Sequence, residues 1–233
     1  MTTGAQEPLV HLKGVHRQFP GDPPVAALID IHLAIWPGEY VAITGPSGSG
    51  KSTLLNLLGC LDRPTEGEHW FASHEVGRLS DNQRAGFRAR RVGFVFQAFH
   101  LLPHRSLLEN LMLAGLYSGL PRALRREQAE AALARVGLSH RLAFRPTRLS
   151  GGERQRGAIA RATVGRPPML LCDEPTGNLD SASSAVVLRL LDEFSAAGQT
   201  IVLITHDMDV SARSRRQIRI GDGRIVSDTG RRA

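Results

Sequence analysis

One segment constrains the fold of this chain more than any other. It reads GPSGSGKS, from Gly45 to Ser52. It follows a short apolar run, Tyr40–Thr44, and leads into a run of good helix formers that begins at Thr53. The pattern G-x-x-x-x-G-K-[ST] between a strand and a helix is typical of a phosphate-binding loop. We therefore expect an α/β core that positions a phosphate group.

The residues of this loop have separate expected tasks. Gly45, Gly48 and Gly50 allow a tight backbone turn that aims N–H groups at an anion, and the following helix adds its positive N-terminal end. Lys51 can reach the terminal phosphates, and Ser52 can offer its hydroxyl to Mg²⁺. The alternative is a Gly/Ser-rich turn without a ligand; we disfavour it because all required residues and both flanking elements coincide. The residues that we assign to binding are Gly45, Pro46, Ser47, Gly48, Ser49, Gly50, Lys51, Ser52 and Thr53.

Composition narrows the class of protein. The 233 residues suffice for one large or two small domains. Cys60 and Cys172 show no paired spacing, which indicates a reducing compartment and neither a disulfide framework nor a zinc site. The net charge of +7 suggests nucleic acid or an anionic membrane surface. However, only Lys13 and Lys51 among the 29 basic residues are lysines, and the arginines form small scattered clusters typical of solvated faces. We expect no nucleic-acid partner.

The sequence contains no obvious membrane segment. Its first ten residues, MTTGAQEPLV, lack a basic stretch followed by an apolar one, so we expect no signal peptide. No apolar run approaches the roughly 20 residues needed to span a bilayer. We expect a soluble chain whose membrane role comes through a partner.

Alternating strands and helices organise most of the chain. Early strands at Leu9–Leu12 and Ile29–Ile35 lie among turn residues, which predicts antiparallel ribbons. Later strands are predicted at Val92–Phe96, Met169–Cys172, Ile201–Thr205 and Ile218–Ile220, with a helix at Ala182–Ser195. This order predicts a parallel sheet with crossover helices.

The middle of the chain has helical periodicity, from Ser106 to about Val164. Apolar residues at helical spacing predict a helix over Leu120–Val136, which Gly137 ends, and another helix begins at Gly151. This helical stretch is expected to be an insertion into the α/β core.

A second motif lies where an apolar strand ends. Met169–Cys172 is followed directly by Asp173 and Glu174, at the edge where ligands bind in open α/β sheets. Asp173 is placed to hold Mg²⁺ through water, and Glu174 can polarise a water for attack on a terminal phosphate. Alone, the pair is a weak signal. Together with the phosphate-binding loop, the pair favours a catalytic role over a strand that simply ends in polar residues.

A third motif identifies a resemblance. The run Leu149–Glu153 places a Ser and two Gly at the start of a helix, which is a ready anion site, although spacing alone does not separate it from an ordinary N-cap. The longer segment LSGGERQR resembles the signature of ATP-binding cassette (ABC) proteins. With GPSGSGKS, Gln97, LLCDEPTGNLD and ITHD in this order, the chain resembles a complete ABC nucleotide-binding domain over roughly residues 9–226.

The resemblance implies a fold and two ligands. The expected fold is α/β: a P-loop NTPase (RecA-like) core with an N-terminal antiparallel β subdomain and an inserted α-helical subdomain. Residues 1–233 would form one ABC ATP-binding domain, with the nucleotide-binding core in 1–97 and 166–233 and the helical signature subdomain in 98–165. ATP and Mg²⁺ are the implied cofactors.

The resemblance also implies a second copy of the chain. In the family, the signature of one subunit covers the ATP that the phosphate-binding loop of the other subunit holds. Ser150, Gly151 and Gly152 are therefore expected to bind ATP across an ATP-sandwich homodimer.

The remaining catalytic and metal residues follow by resemblance. The catalytic set is Glu174, His206 and Gln97, where His206 contacts the γ-phosphate and Gln97 touches Mg²⁺ and water and couples to a membrane subunit. The metal set is Ser52, Gln97 and Asp173. The alternatives are an exposed loop glutamine at position 97 and a structural histidine at position 206.

Three further sites either have an alternative role or depart from the family pattern. Asn178–Asp180 resembles the D-loop, which communicates across the dimer, although Asp180 could equally cap a helix. Phe19 is the candidate for stacking on adenine; Tyr is commoner at that place in the family, and a turn or core role is the alternative. Gly157 departs from the family, which usually has an apolar residue there, and this puts the local packing in question because glycine costs about 1 kcal/mol in a helix.

The type of ABC protein is suggested by longer segments. LLNLLGCLDRPTEGE, VGFVFQAFHLLPHRSLLENL and LCDEPTGNLD are most similar to ATPases of the macrolide-exporter and lipoprotein-release type. This resemblance implies an ATP-hydrolysing subunit whose ATP-driven dimer closure powers a membrane permease of the export or the lipoprotein/mechanotransmission type. The subunit is expected to be cytoplasmic and peripheral on the inner face of the cell membrane. Residues 98–112 are expected to include the face that receives a coupling helix.

Two alternatives remain open at this point. One is a cell-division-type ABC ATPase that regulates cell-wall hydrolysis through a membrane partner. The other is a soluble DNA-associated ABC ATPase, which we disfavour because no heptad run or cysteine cluster separates Lys51 from Asp173.

Overall fold

The computed structural model describes residues 7–230. Part of the signal-peptide prediction concerns residues 1–6, which lie outside the described residues. The strands are β1 (Val10–Phe19), β2 (Val25–Ile35), β3 (Tyr40–Thr44), β4 (Glu66–Phe71), β5 (His74–Glu75), β6 (Val92–Phe96), β7 (Met169–Asp173), β8 (Thr200–Ile204), β9 (Arg216–Gly221) and β10 (Arg224–Asp228). The α-helices are α1 (Lys51–Leu58), α2 (Asp81–Arg91), α3 (Leu107–Tyr117), α4 (Arg125–Arg135), α5 (Gly151–Thr163), α6 (Ser181–Ala196) and α7 (Met208–Ser211). None of the helices in this described part has the length and hydropathy needed to cross a bilayer.

The first sheet is antiparallel, with strand order β2-β1-β4-β5. Strand β1 pairs with β2 from Val10 opposite Ile35 to Phe19 opposite Val25, which confirms the predicted ribbon and extends it. Strands β4 and β5 were not predicted from the sequence. Strand β4 reads EGEHWF, and its polar first half continues directly from a turn, so no apolar run marks it.

The second sheet has the order β10-β9-β3-β8-β7-β6. All its pairs from β9 to β6 are parallel, as predicted, and β10 is an antiparallel edge strand that the sequence did not predict. Parallel strands end at the same edge of a sheet. The ends of β3, β8, β7 and β6 therefore lie side by side, and each is followed by one of the expected functional motifs.

Helices α3, α4 and α5 pack against one another around buried side chains that include Leu107, Leu133 and Ile159. The predicted helix Leu120–Val136 is wrong at its start. It begins at Arg125, because Gly119 adopts a left-handed φ of 88° and Pro121 follows the turn. Its end is confirmed by Gly137, whose φ of 71° is left-handed.

Gly157 is explained by its neighbour on α3. A Cβ built at Gly157 would lie 2.9 Å from Cδ2 of Leu107, so the leucine fills the space that a side chain at position 157 would occupy. Leu107 itself is fully buried. The packing question raised by the sequence is therefore resolved by a large residue on the facing helix.

A buried arginine joins the two sheets. Arg216, at the start of β9, donates from Nη1 to the Ala34 carbonyl oxygen at 2.8 Å and to Glu39 Oε2 at 2.9 Å. Its Nη2 donates to Asp228 Oδ2 at 2.7 Å, and its side chain is only 10% exposed. One guanidinium thus connects β2, the turn before β3, and β10.

Replacing Arg216 with alanine should lower the free energy of unfolding by about 3 kcal/mol, because it removes the buried cation that bonds to Glu39 and Asp228. Urea unfolding measures this loss. The control is Arg215→Ala, which removes a neighbouring exposed arginine and should change stability by less than about 0.5 kcal/mol. Equal losses in the two variants would contradict the structural role of Arg216.

Candidate active site

The phosphate-binding loop lies against backbone from both sheets. A Cβ at Gly45 would lie 2.2 Å from the carbonyl oxygen of Ile220 in β9, and one at Gly50 would lie 2.5 Å from that of Ala27 in β2. Both glycines also have positive φ, 152° and 102°, and so does Gly48 at 77°. Because other residues have a Cβ and disfavour such φ values, only glycine fits at Gly45 and Gly50.

Hydrogen bonds hold the loop in this position. The Gly223 N–H, in the turn between β9 and β10, donates to the Ser49 carbonyl oxygen at 3.0 Å. Lys51 Nζ donates to the carbonyl oxygens of Gly45 at 2.8 Å and Pro46 at 2.7 Å. The ammonium of Lys51 therefore lies across the mouth of the loop. The Ser49 hydroxyl is buried and has no hydrogen-bond partner in the described structure.

The expected functional residues lie side by side along one edge of the second sheet. Gly45 follows β3, His206 lies two residues past β8, Glu174 follows β7 and Gln97 follows β6, and the strand order β3-β8-β7-β6 places them in that order. Glu174 and His206 are in direct contact.

Glu174 is held by three hydrogen bonds from the end of β8. Its Oε1 accepts from the His206 backbone N–H at 2.9 Å and lies 2.6 Å from His206 Nδ1, and its Oε2 accepts from the Thr205 hydroxyl at 3.1 Å. Its φ is 45°, an unfavourable value for a non-glycine residue, and its N–H donates to the Ile204 carbonyl oxygen at 2.9 Å. The surrounding bonds therefore fix the carboxylate in one orientation.

Asp173 is the last residue of β7 and is partly buried. Burial raises the pKa of the Asp173 carboxyl, the adjacent Glu174 carboxylate raises that pKa further, and the Lys51 ammonium opposes both effects. Two carboxylates next to a lysine form a site that favours an added cation.

Gln97 contacts Asn178 in the segment between β7 and α6. Gln97 Nε2 donates to Asn178 Oδ1 at 3.1 Å, and Asn178 Nδ2 donates to the Gln97 carbonyl oxygen at 3.1 Å. The candidate D-loop and the end of β6 are therefore joined by a reciprocal pair of hydrogen bonds.

The signature segment begins α5 with a capping box. Ser150 Oγ accepts from the Glu153 N–H at 3.2 Å, and Glu153 accepts from the Ser150 N–H at 2.9 Å. The N–H groups of Gly151 and Gly152 lie in the first turn, which has no intrahelical acceptors. Within residues 7–230, no hydrogen bond or ion pair joins residues 150–152 to the loop of the same chain.

Phe19 is the last residue of β1 and is 37% exposed. The guanidinium carbon of Arg17 lies 4.4 Å from the centre of its ring. One face of this ring is therefore covered by a cation, and the side chain lies at the end of β1.

Two site residues were missed by sequence reasoning. They are Thr205, which donates to Glu174, and Gln155, which lies on α5 and is fully buried. The contact of the predicted D-loop residue Asn178 with Gln97 was not predicted either. Gln155 Nε2 donates to the Pro175 carbonyl oxygen at 2.6 Å, next to Glu174. The only sequence signal for Gln155 was its polar side chain among the apolar and small residues of the buried face of α5. Its partner, Pro175, is distant in sequence.

The residues present fit a nucleotide phosphate and a magnesium ion. The glycine cradle, the Lys51 ammonium and the orphaned Ser49 hydroxyl supply donors for phosphate. Ser52 is exposed in the first turn of α1, and its hydroxyl with the oxygens of Asp173 and Gln97 is a hard donor set that suits Mg²⁺. Among the described residues, no group of three or more His, Cys, Asp or Glu side chains is placed to hold a metal ion.

The fold and this site define a P-loop nucleotide-binding domain of the α/β class. Residues 28–177, more than half of the chain, match the family model described as ABC transporter. The chain belongs to the ABC transporter family and is an ATPase domain of that family.

The chain is similar to known proteins over nearly its whole length. The chain is 48% identical over 224 residues to "Pyoverdine export ATP-binding/permease protein PvdT" of Pseudomonas aeruginosa, covering 95% of this chain and 34% of the relative. It is 50% identical over 224 residues to "Macrolide export ATP-binding/permease protein MacB" of Marinobacter nauticus, covering 96% and 35%. The chain thus spans about a third of the length of these relatives.

A solved structure described as the dimeric post-hydrolysis state of the ATP-binding cassette MJ0796, bound to ADP and Pi, has a TM-score of 0.86 and 38% identity. The match covers 96% of this chain and 99% of that one. The predicted fold class is therefore confirmed.

Replacing Asp173 with asparagine should stabilise the protein at neutral pH without nucleotide. The pKa of Asp173 is raised in the folded chain. The stability that protonated Asp173 contributes is therefore present at low pH and is lost as the pH rises through the pKa of the folded state. Urea unfolding should show an advantage for the variant that shrinks as the pH falls toward 3.8, the ordinary value for Asp.

The matched control is Asp180→Asn. Hydrogen bonds from Ser183 lower the pKa of Asp180, so the pH dependence has the opposite sign: the ionised Asp180 carboxylate stabilises the folded chain at neutral pH. This variant should be no more stable than the natural protein at neutral pH. A destabilised Asp173→Asn variant would contradict the electrostatic explanation.

Proposed function

We propose that this chain is the ATP-hydrolysing subunit of an export-type ABC complex, in which ATP-driven closure of two copies moves a membrane permease. The observation that carries the proposal is the separation of two halves of an anion site. The loop Gly45–Ser52 lies beside Glu174 and His206, whereas the N–H groups of Gly151 and Gly152 at the start of α5 have no partner within residues 7–230 and make no bond to that loop. A second copy is the natural source of the missing half.

The loop binds and neutralises the phosphates of ATP. Backbone N–H groups within Ser47–Thr53 and the helix dipole of α1 hold the phosphate chain. Lys51 exchanges its bonds to the carbonyl oxygens of Gly45 and Pro46 for bonds to phosphate oxygens. Phe19 supports the adenine with the ring face that Arg17 leaves uncovered.

Glu174 orients the attacking water and accepts its proton. His206 and Thr205 fix the carboxylate so that it needs no reorganisation during the reaction. Because a carboxylate only accepts hydrogen bonds, Nδ1 of His206 must carry a proton toward Glu174. The other ring nitrogen, Nε2, makes no hydrogen bond within residues 7–230 and is the atom that would face the γ-phosphate.

Ser52, Asp173 and Gln97 are the residues that would hold Mg²⁺. When bound with ATP, this ion neutralises charge that develops on the phosphate oxygens. Asp173 accepts the ion readily because the cation relieves its repulsion with Glu174.

The second copy covers the nucleotide with its signature. Ser150 uses its oxygen lone pair to accept from Glu153, which leaves its own O–H free to donate to a phosphate of the other subunit. The N–H groups of Gly151 and Gly152 extend the same anion site. The similarity to the dimeric cassette MJ0796 supports this arrangement.

The permease would contact a cleft between the sheet and the helical part. We place the helical subdomain at residues 98–165. The cleft has a volume of about 290 Å³ and is lined by aromatic residues, Phe94, Phe96 and Tyr117, and by Arg90 and Arg161. Of the expected range 98–112, its lining includes His100.

The charge of the cleft indicates what it binds. Its described lining contains no Asp or Glu, and Arg90 and Arg161 form no ion pair within residues 7–230. Burial lowers the pKa of the Arg161 guanidinium, which means that burial disfavours its charged form. A cytoplasmic permease segment with apolar residues and a carboxylate fits this lining. Such docking places the chain on the cytoplasmic face of the membrane, and the similarity to PvdT and MacB supports an export role.

Replacing Glu174 with glutamine should leave ATP binding intact and lower ATP turnover by about 10²- to 10⁴-fold, because glutamine cannot accept the proton of the water. Size-exclusion chromatography with Mg²⁺ and ATP should show the variant accumulating as a dimer. Asp207→Asn is the control, since it changes a neighbouring acidic cap of α7 that has no proposed catalytic role. Wild-type turnover in Glu174→Gln would overturn the assignment of the base.

Reversing the charge of Arg90 should weaken docking to the membrane partner. Arg90 is exposed, so Arg90→Glu is expected to fold normally while repelling a carboxylate in the cleft. The measurement is the fraction of protein that sediments with membranes from its own cells, and it should fall severalfold with the ATP affinity unchanged. Arg215→Glu makes the same charge change outside the cleft lining. Equal sedimentation of both variants would exclude this docking mode.

A further inference from the structure

The reciprocal bonds between Gln97 and Asn178 have a definite polarity. A backbone carbonyl oxygen can only accept, so the Asn178 group that faces the Gln97 carbonyl at 3.1 Å must be its Nδ2. The other end of the Asn178 amide is then Oδ1, which can also only accept. The Gln97 group that faces it at 3.1 Å must therefore be Nε2.

These constraints leave one polar atom of the Gln97 amide unassigned. The donor end of the Gln97 amide is engaged, and its Oε1 has no hydrogen-bond partner within residues 7–230. An amide can ligate a metal ion only through its oxygen. An amide that rotated freely would present its nitrogen as often as its oxygen, so the polarity set by Asn178 selects the end that can ligate.

Gly177 makes room for this arrangement. A Cβ at Gly177 would lie 2.6 Å from Gln97 Nε2 and 3.1 Å from its Cδ, with no positive φ at this position. A side chain there would therefore displace the Gln97 amide rather than strain the backbone. Two neighbouring residues, Gly177 and Asn178, act on the same side chain.

We propose that Asn178 is a positioning residue that fixes the polarity of the Gln97 amide and so presents Oε1 to Mg²⁺, an inference that rests on the proposed metal role of Gln97. The backbone carbonyl of Gln97 is the reference that sets the polarity, and Asn178 transmits it to the side chain. The candidate D-loop thus contributes to metal binding within its own subunit without touching the metal.

The experiment compares the affinity for a non-hydrolysable ATP analogue with Mg²⁺ and with EDTA, by isothermal titration calorimetry. Asn178→Ala should weaken binding roughly fivefold with Mg²⁺, the scale of one or two exposed hydrogen bonds, and leave metal-free binding unchanged. Asn178→Asp should behave like the alanine variant, because its second oxygen would oppose the Gln97 carbonyl oxygen. Gly177→Ala should also match it by displacing the amide. Melting temperatures verify that each variant is folded.

A double-mutant cycle with Gln97→Ala isolates the mechanism. Asn178→Ala and Gly177→Ala should cause no further loss of Mg²⁺-dependent affinity once Gln97 is absent. Equal losses with Mg²⁺ and with EDTA, or losses that persist without Gln97, would overturn the positioning role. If Gln97→Ala lowers the Mg²⁺-dependent affinity and Asn178→Ala does not, this inference alone fails. If Gln97→Ala has no effect, the proposed metal role of Gln97 fails with it.

Discussion

The contact on which the site depends is the close approach of the phosphate-binding loop to the backbone of both sheets. Gly45 passes β9 and Gly50 passes β2 at distances that exclude any Cβ, and the Gly223 N–H bonds to the Ser49 carbonyl. The loop is therefore held by main chain on two sides before any ligand binds. Donors fixed in this way need no reorganisation when phosphate arrives, which is the condition for strong electrostatic stabilisation.

The parallel sheet then arranges the remaining chemistry. Since β3, β8, β7 and β6 are neighbours, each strand end places one functional residue beside the next, and Glu174 receives its hydrogen bonds from β8. Two amide side chains join the segment after β7 to its surroundings, one from the helical part and one from the residue that follows β6. Gln155 on α5 bonds to the carbonyl of Pro175, and Gln97 bonds to Asn178. Movements of the helical part are thus connected to the segment that follows β7.

Most features that were predicted from the sequence have signals that lie adjacent in the chain. The phosphate-binding loop and the acidic end of β7 were visible because strand, turn and helix signals are adjacent in the chain. Helix α2 was missed although Ser80 and Gln83 form its capping box, because it lacks a continuous apolar stripe. Thr205 and Gln155 were missed as site residues, and the pairing of Asn178 with Gln97 was not predicted, because each of these roles depends on a partner distant in sequence, and single-residue patterns carry no record of such pairs.

The packing of Gly157 against Leu107 has an evolutionary consequence. Both positions fill one space, so neither is free to change alone: a larger residue on α5 requires a smaller one at the start of α3. Homologues with valine or isoleucine at position 157 should therefore carry a shorter side chain at position 107. An alignment would show these two positions as a covarying pair of nearly constant combined volume.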